Sequence, residues 1–279
     1  MRLINTILAV IIVVAPVRAD LMTGSVGRWT FDDTSADVSG FGNDISLYGP
    51  VFSSDFAPAT GSGKSIQFTD TVSYASTISS FTSSAYTISA WVKVSSNASF
   101  PMAILCRTNS DIGITQWSDQ LRINSNGKFE HYTYDGAMRV LPGTTVVQKG
   151  VWYNVIGTAT SGGQMKLYVN GTLEATMAGT LGTLWAGGDR WNIGSPVAGF
   201  TRFQGTIDEV VIYNRAITAT EAQCVATAKL APPRRCGDGD TIYSVYDFNA
   251  DCVVDLQDIS LLFLDWLECT DPAISACVQ

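Results

Sequence analysis

The stretch Gly205–Thr218, GTIDEVVIYNRAIT, constrains the chain more than any other. Ile207, Glu209, Val211 and Tyr213 alternate with Asp208, Val210, Ile212 and Asn214, so both sides of the run are largely apolar. A half-exposed strand has one apolar and one polar side; a run apolar on both belongs inside a sheet covered on both faces. One carboxylate, Asp208, stands among these neighbours and needs a partner, either a metal ion or backbone N–H groups. Thr218-Ala-Thr-Glu221 follows with the capping-box spacing that opens a short helix.

The rest of the first 230 or so residues supplies partners for such a strand. In Tyr86–Val94, Tyr86, Ile88, Ala90, Val92 and Val94 form one face and Thr87, Ser89, Trp91 and Lys93 the other. Asn126-Gly127 separates β-prone runs within Leu121–Phe129. Asn170-Gly171 sits within Met165–Leu173 where a two-residue type I′ turn requires positive φ twice. Many short strands, frequent Gly and Asn turns and one late helix predict an all-β, two-sheet sandwich. At 279 residues there is room for that sandwich and one small module.

Several motifs in order resemble one family. Trp29-Thr-Phe-Asp-Asp33, Asp37 to Asp44, Lys166-Leu-Tyr-Val-Asn-Gly171 and the closing stretch Gly205–Thr218 are similar to the laminin-G-like group of concanavalin A-like jelly rolls. The resemblance covers about residues 24–229 and implies that the last strand returns beside the first. In calcium-bearing members a cation ties those strands together, and the matching positions here are Asp32, Gly63 and Asp208.

Residues 1–19 have a charged start, the apolar run Ile7–Val14 and the small-residue ending Val17-Arg18-Ala19, which predicts a secretory signal peptide. The run is too short to span a membrane. The expected location is extracellular or in the cell envelope. Without Arg2 and Arg18, 15 basic side chains face 25 acidic ones. Nine of the acids and none of the bases lie in residues 236–279, so residues 20–235 are close to neutral. That balance argues against nucleic acid as a partner. Four of six cysteines, Cys236, Cys252, Cys269 and Cys277, share the acidic module, where disulfides would staple a small core. Cys106 and Cys224 either pair with each other or remain buried thiols.

Ala231-Pro-Pro-Arg-Arg235 marks a linker over residues 230–235, which separates the sandwich (20–229) from the module (236–279). Asp247, Asn249, Asp251, Asp255 and Asp258 occupy positions 1, 3, 5, 9 and 12 of a loop, with the Val253 carbonyl at 7. That is the ligand spacing of an EF-hand-type calcium loop, although Cys252 replaces the usual Gly and Asp258 the usual Glu. Leu256, Ile259, Phe263, Trp266 and Leu267 then recur at helical spacing. The whole segment resembles the dockerin-like tail of exported planctomycete-type proteins, which implies calcium as cofactor and a cohesin-like or cell-surface protein as partner.

No E-x-D-x-x-E stands among the five glutamates, Glu130, Glu174, Glu209, Glu221 and Glu268, so the acid pair of related glucanases is missing. His131, the sole histidine, lacks a nucleophile motif and is expected on the surface or half-buried in the strand Lys128–Tyr134. The chain is therefore read as non-catalytic. Sugar sites need aromatic faces, and Trp117, Tyr132, Tyr134, Trp185, Trp191, Phe200 and Phe203 lie in or beside Gly-rich loops. Asp119 and Arg122 are candidates for polar contacts, whereas Trp29 and Trp152 are expected in the core. The expected function is carbohydrate binding with a docking tail; the rival readings are an adhesion protein with protein partners and a hydrolase of unrecognised site.

Overall fold

The computed structural model describes residues 21, 23–70, 72–78, 84–110, 114, 116–185, 188–195 and 200–227. The expected signal peptide, the 230–235 linker and the 236–279 module with its calcium loop Asp247–Asp258 lie outside the described residues.

The strands in chain order are β1 (Ser25–Trp29), β2 (Ser46–Tyr48), β3 (Val51–Ser53), β4 (Ser65–Phe68), β5 (Tyr74–Ile78), β6 (Ala85–Val94), β7 (Met102–Thr108) and β8 (Trp117–Ile123). They continue as β9 (Lys128–Tyr134), β10 (Met138–Val146), β11 (Trp152–Thr160), β12 (Met165–Val169), β13 (Thr172–Thr176), β14 (Arg190–Ile193) and β15 (Gly205–Tyr213), with helix α1 at Ala219–Thr227. An eight-stranded sheet runs β13-β12-β11-β6-β15-β4-β3, with β1 also on β15; a seven-stranded sheet runs β10-β9-β8-β7-β14-β5-β2. This is the expected all-β, two-sheet jelly roll. Among the described residues no helix is long and apolar enough to cross a membrane.

The closing strand holds the position its sequence demands. All nine residues of β15 are buried, and β6 pairs along one side of it. The other side is shared: β4 takes Gly205–Ile207 and β1 takes Val210–Tyr213. At the changeover the ladder to β6 is irregular between Asp208 and Val211, and Glu209 adopts φ 43. A β-bulge of this kind lets two acidic side chains turn out of the regular pleat.

Local signals behave as their chemistry requires. Asn170 (φ 50) and Gly171 (φ 74) make the positive-φ turn between β12 and β13. The Glu221 N–H donates to Thr218 Oγ1 at 3.2 Å while the Thr218 N–H donates to Glu221 Oε2 at 2.6 Å, a reciprocal capping box. Thr218→Ala is expected to cost about 1 kcal/mol, seen as a small drop in the thermal midpoint with no change in ligand binding.

The core between the sheets includes Trp29, Phe68, Phe129, Trp191, Met102 and Phe203. His131 corrects its expectation. It is fully buried between the sheets, because it shares the inward side of β9 with Phe129. Its Nδ1–H donates to the Lys166 carbonyl at 3.0 Å, which leaves Nε2 to accept from the Tyr86 hydroxyl at 2.9 Å. Burial holds its pKa down at about 3, so the ring is neutral and its nitrogens are occupied. Trp152 is only half-buried, with its indole N–H donating to Asp55 Oδ1 at 3.1 Å, a second departure from the expected core. Cys106 and Cys224 are both free; burial pushes the Cys106 thiol up to about 12, which makes it unreactive.

Candidate ligand-binding site

Alternation along β9 places Phe129 and His131 toward the core and Tyr132 and Tyr134 on the outer face of the seven-stranded sheet. Cross-strand partners share that face. Tyr132 lies opposite Val140 and Gln120, and Tyr134 lies opposite Met138. Trp117 opens the neighbouring strand β8. Trp185 comes from the segment between β13 and β14, far away in sequence, and three hydrogen bonds hold that segment. The Gly182 N–H donates to Asp135 Oδ2 at 2.7 Å, the Leu184 N–H to Ser161 Oγ at 3.0 Å and the Trp185 N–H to the Tyr134 carbonyl at 3.0 Å. The Trp185 ring then meets Tyr134 edge-on, 5.5 Å between centroids and 68° between planes.

These four aromatic residues line one open groove of about 710 Å³. Gln116, Asp135, Gly136, Met138, Thr183 and Leu184 complete its walls. Trp185 is 40% exposed and offers its face, while Tyr132 forms a nearly closed floor. The Arg139 guanidinium, at 2.8 Å, and the Gly182 and Ala137 N–H groups hold the Asp135 carboxyl below the usual carboxylate range. Asp135-Gly136 and Met138 did not figure in the sequence expectation. The signal was present: Asp-Gly between two β-prone runs marks a hairpin mouth, and a mouth is where side chains from two strands and a loop converge.

The remaining expected ligand residues fall elsewhere. Trp191 is 1% and Phe203 0% exposed, so neither ring presents a face to a ligand. Trp191 points between the sheets near the Arg107 guanidinium (5.9 Å), and Phe203 packs edge-on against Phe68. Both are corrected to core positions. Phe200 is half-buried and covers Arg122 at 4.5 Å; Arg122 in turn lies 5.0 Å over Tyr132 and pairs with Glu130 at 3.0 Å. Phe200 thus packs over Arg122 beside the floor and is not among the residues that line the groove. Asp119 faces inward, accepting from Thr133 Oγ1 at 2.8 Å and Ser118 Oγ at 3.1 Å, and is no groove contact.

The residues considered for a cation meet at the β15 changeover. Asp208 is fully buried; its Oδ2 accepts from the Ala57 N–H at 2.9 Å and its Oδ1 from the Glu209 N–H at 2.8 Å. Burial, then the Glu209 and Asp32 charges, push Asp208 up to about 7. Burial also raises Glu209 to about 7, against the pull of the Arg28 guanidinium at 3.3 Å. Asp32 Oδ1 accepts from the Lys64 N–H at 2.7 Å, and a Cβ at Gly63 would occupy the space that this oxygen uses. Among the described residues no three acidic, histidine or cysteine side chains form a metal-binding cluster. A cation here would therefore draw on Asp32, Asp208 and backbone oxygens.

Comparison with known proteins decides the family. The family Laminin_G_3, described as the concanavalin A-like lectin/glucanases superfamily, matches residues 61–223, more than half of the chain. The chain belongs to that superfamily. No curated protein matches it in sequence. Among solved structures, this superfamily member is similar to the binding domain of Paraclostridial Mosquitocidal Protein 1, at 15% identity and a TM-score of 0.59, over 74% of this chain and 52% of that one. It is also similar to domain 4 of AbnA, a GH43 extracellular arabinanase from Geobacillus stearothermophilus, in complex with arabinotriose, at 17% identity and 0.53, over 72% and 98%. A third is the botulinum neurotoxin serotype D ligand-binding domain in complex with N-acetylneuraminic acid, at 15% and 0.54, over 74% and 52%. The chain spans about half the length of the toxin domains it matches. At these identities the likeness is one of fold.

Proposed function

We propose that the sandwich is a non-catalytic glycan-binding module. The observation that carries this reading is the groove, where Trp117, Tyr132, Tyr134 and Trp185 converge from β8, β9 and a loop pinned to both neighbouring turns. Convergent aromatic faces with a few polar groups are what a sugar ring requires, since its C–H faces stack and its hydroxyls hydrogen-bond. Two of the similar structures hold sugars, arabinotriose in the arabinanase domain and N-acetylneuraminic acid in the neurotoxin domain, which supports the same class here. The sole histidine is buried and neutral, which leaves no imidazole base at the groove.

The reading extends to the rest of the chain. The protein is exported by residues 1–19, and the tail binds calcium through Asp247, Asn249, Asp251, Val253, Asp255 and Asp258 and docks the module to a protein partner. Calcium also suits the β15 junction: the Asp32 charge acts on the buried Asp208 carboxyl, and the absence of a Cβ at Gly63 lets Asp32 Oδ1 sit against that segment. There it would neutralise a buried carboxylate and tie the Asp32 segment to the closing strand.

The test is a glycan array probed with the mature protein, with calcium and with chelator, followed by titration calorimetry on any hit. Trp185→Ala is expected to weaken binding about ten- to a hundredfold with little change in thermal midpoint, because the side chain is 40% exposed. Binding that survives this substitution unchanged would move the site away from the groove.

A further inference from the structure

We infer that the groove selects a neutral glycan whose sugars carry an apolar substituent of the N-acetyl type, and that it rejects acidic sugars. The inference rests on the glycan-binding reading and narrows its ligand class.

Charge and the occupancy of the polar groups set the first part of this selection. Asp135 alone among the ten lining residues is ionisable at neutral pH. Its side chain is 0% exposed and both its oxygens are occupied, Oδ1 by Arg139 and Oδ2 by Gly182. No basic side chain stands among the described residues that line the groove. The nearby Arg122 is buried against the Tyr132 and Phe200 rings and spends its Nε–H on Glu130. An acidic sugar entering here would lose hydration and gain no cation from the described lining residues, which disfavours it. A cationic amino sugar would gain nothing either, because the Asp135 oxygens already hold their donors.

Two aliphatic side chains in the walls set the preference for an acetylated sugar. Met138 is 71% exposed on the rim opposite Tyr134, and Leu184 sits beside Trp185. A ring with hydroxyls alone would lay polar groups against both. A methyl-ended acetamido group instead places its methyl on the thioether or the Leu184 side chain, and its amide remains free to bond with Gln116 or Thr183 at the wall. Large exposed apolar side chains at a groove rim are best accounted for by a ligand with matching apolar surface.

The experiment is calorimetric titration of the full chain with N,N′,N″-triacetylchitotriose, cellotriose and 3′-sialyllactose, for the natural protein, Trp185→Ala and Met138→Ser. The expected result is binding of the acetylated trimer, at least tenfold weaker binding of cellotriose, and none of sialyllactose. Met138→Ser should erase most of the preference for the acetylated trimer, weakening that trimer far more than cellotriose, which a merely structural role for Met138 would not do. The affinity should barely change between low and about 0.5 M salt, since no net charge is engaged. Sialyllactose binding that Trp185→Ala abolishes would overturn the inference and leave glycan binding at the groove intact. Cellotriose binding as tight as the acetylated trimer would overturn the substituent requirement. Failure of all three probes, together with a blank glycan array, would overturn both readings.

Discussion

Gly205→Ala is expected to destabilise the sandwich by about 4 kcal/mol and to lower its thermal midpoint by roughly 10 °C. Gly205 opens the closing strand with φ 147, a region that glycine alone populates readily. A Cβ there would run into the Lys93 carbonyl oxygen and stand 3.0 Å from Val94 Cα, both backbone atoms of the partner strand β6. Backbone cannot yield as a side-chain tip does, so the first pair of the ladder, Gly205 opposite Val94, must open. Gly150→Ala is the control: its φ is also positive, at 80, but a Cβ meets nothing within 4 Å, so only the backbone strain of about 1 kcal/mol applies. Equal midpoints for the two variants in a thermal melt would mean that β15 and β6 do not pair at Gly205.

Without added calcium, the sandwich is expected to lose stability as pH rises from about 4 to about 7, at up to about 1.4 kcal/mol per pH unit for each responsible group. The groups are Asp208 and Glu209, both raised to about 7 in the folded protein by burial and by the neighbouring carboxylates, Asp32 included. A carboxyl whose folded pKa exceeds its unfolded value keeps its proton more readily when folded. Its stabilising contribution is complete below the unfolded pKa, here 3.8 for Asp208, and is lost as pH climbs through the folded value. Arg28 moderates the loss at Glu209 and does not remove it. The difference in unfolding free energy between the natural protein and Asp208→Asn isolates the effect from other titrations; it should move against the natural protein by more than 1 kcal/mol over the window. If calcium occupies the junction, millimolar calcium should raise the midpoint at pH 7 and leave it unchanged at pH 4, where a protonated carboxyl competes. A midpoint indifferent to calcium at both pH values would remove the cation from the sandwich.

Legibility from sequence followed the range of the interactions involved. The capping box at Thr218 and Glu221, the Asn170-Gly171 turn and the buried character of Ile207–Tyr213 are decided within a few residues, and each stands where the pattern put it. The aromatic residues divided differently. Trp117, Tyr132, Tyr134 and Trp185 meet in one groove, while Trp191 and Phe203, picked by the same loop-proximity argument, lie in the core. Proximity to a glycine-rich loop does not say which way a strand side chain points. Trp152 and His131 erred in opposite directions for the same reason. The first was expected inside and is half-exposed; the second was expected on the surface or half-buried and sits fully buried between the sheets.

By itself, then, the sequence determined the two-sheet β class, the closing strand and several of its partners, two Asn-Gly turns, the helix after the closing strand and the absence of the glucanase acid pair, because alternation, turn chemistry and spacing are properties of contiguous residues. The tertiary structure decided which aromatic faces open to solvent, which loop closes the groove and where the buried carboxylates meet. Tyr134 and Trp185 meet because hydrogen bonds to Asp135, Ser161 and the Tyr134 carbonyl hold the Gly182–Trp185 segment in place. Asp208 and Glu209 leave the pleat only because β1 and β4 divide one side of β15 between them. Both arrangements depend on pairing between segments far apart in the chain, and no local pattern of residues encodes the register in which distant strands meet.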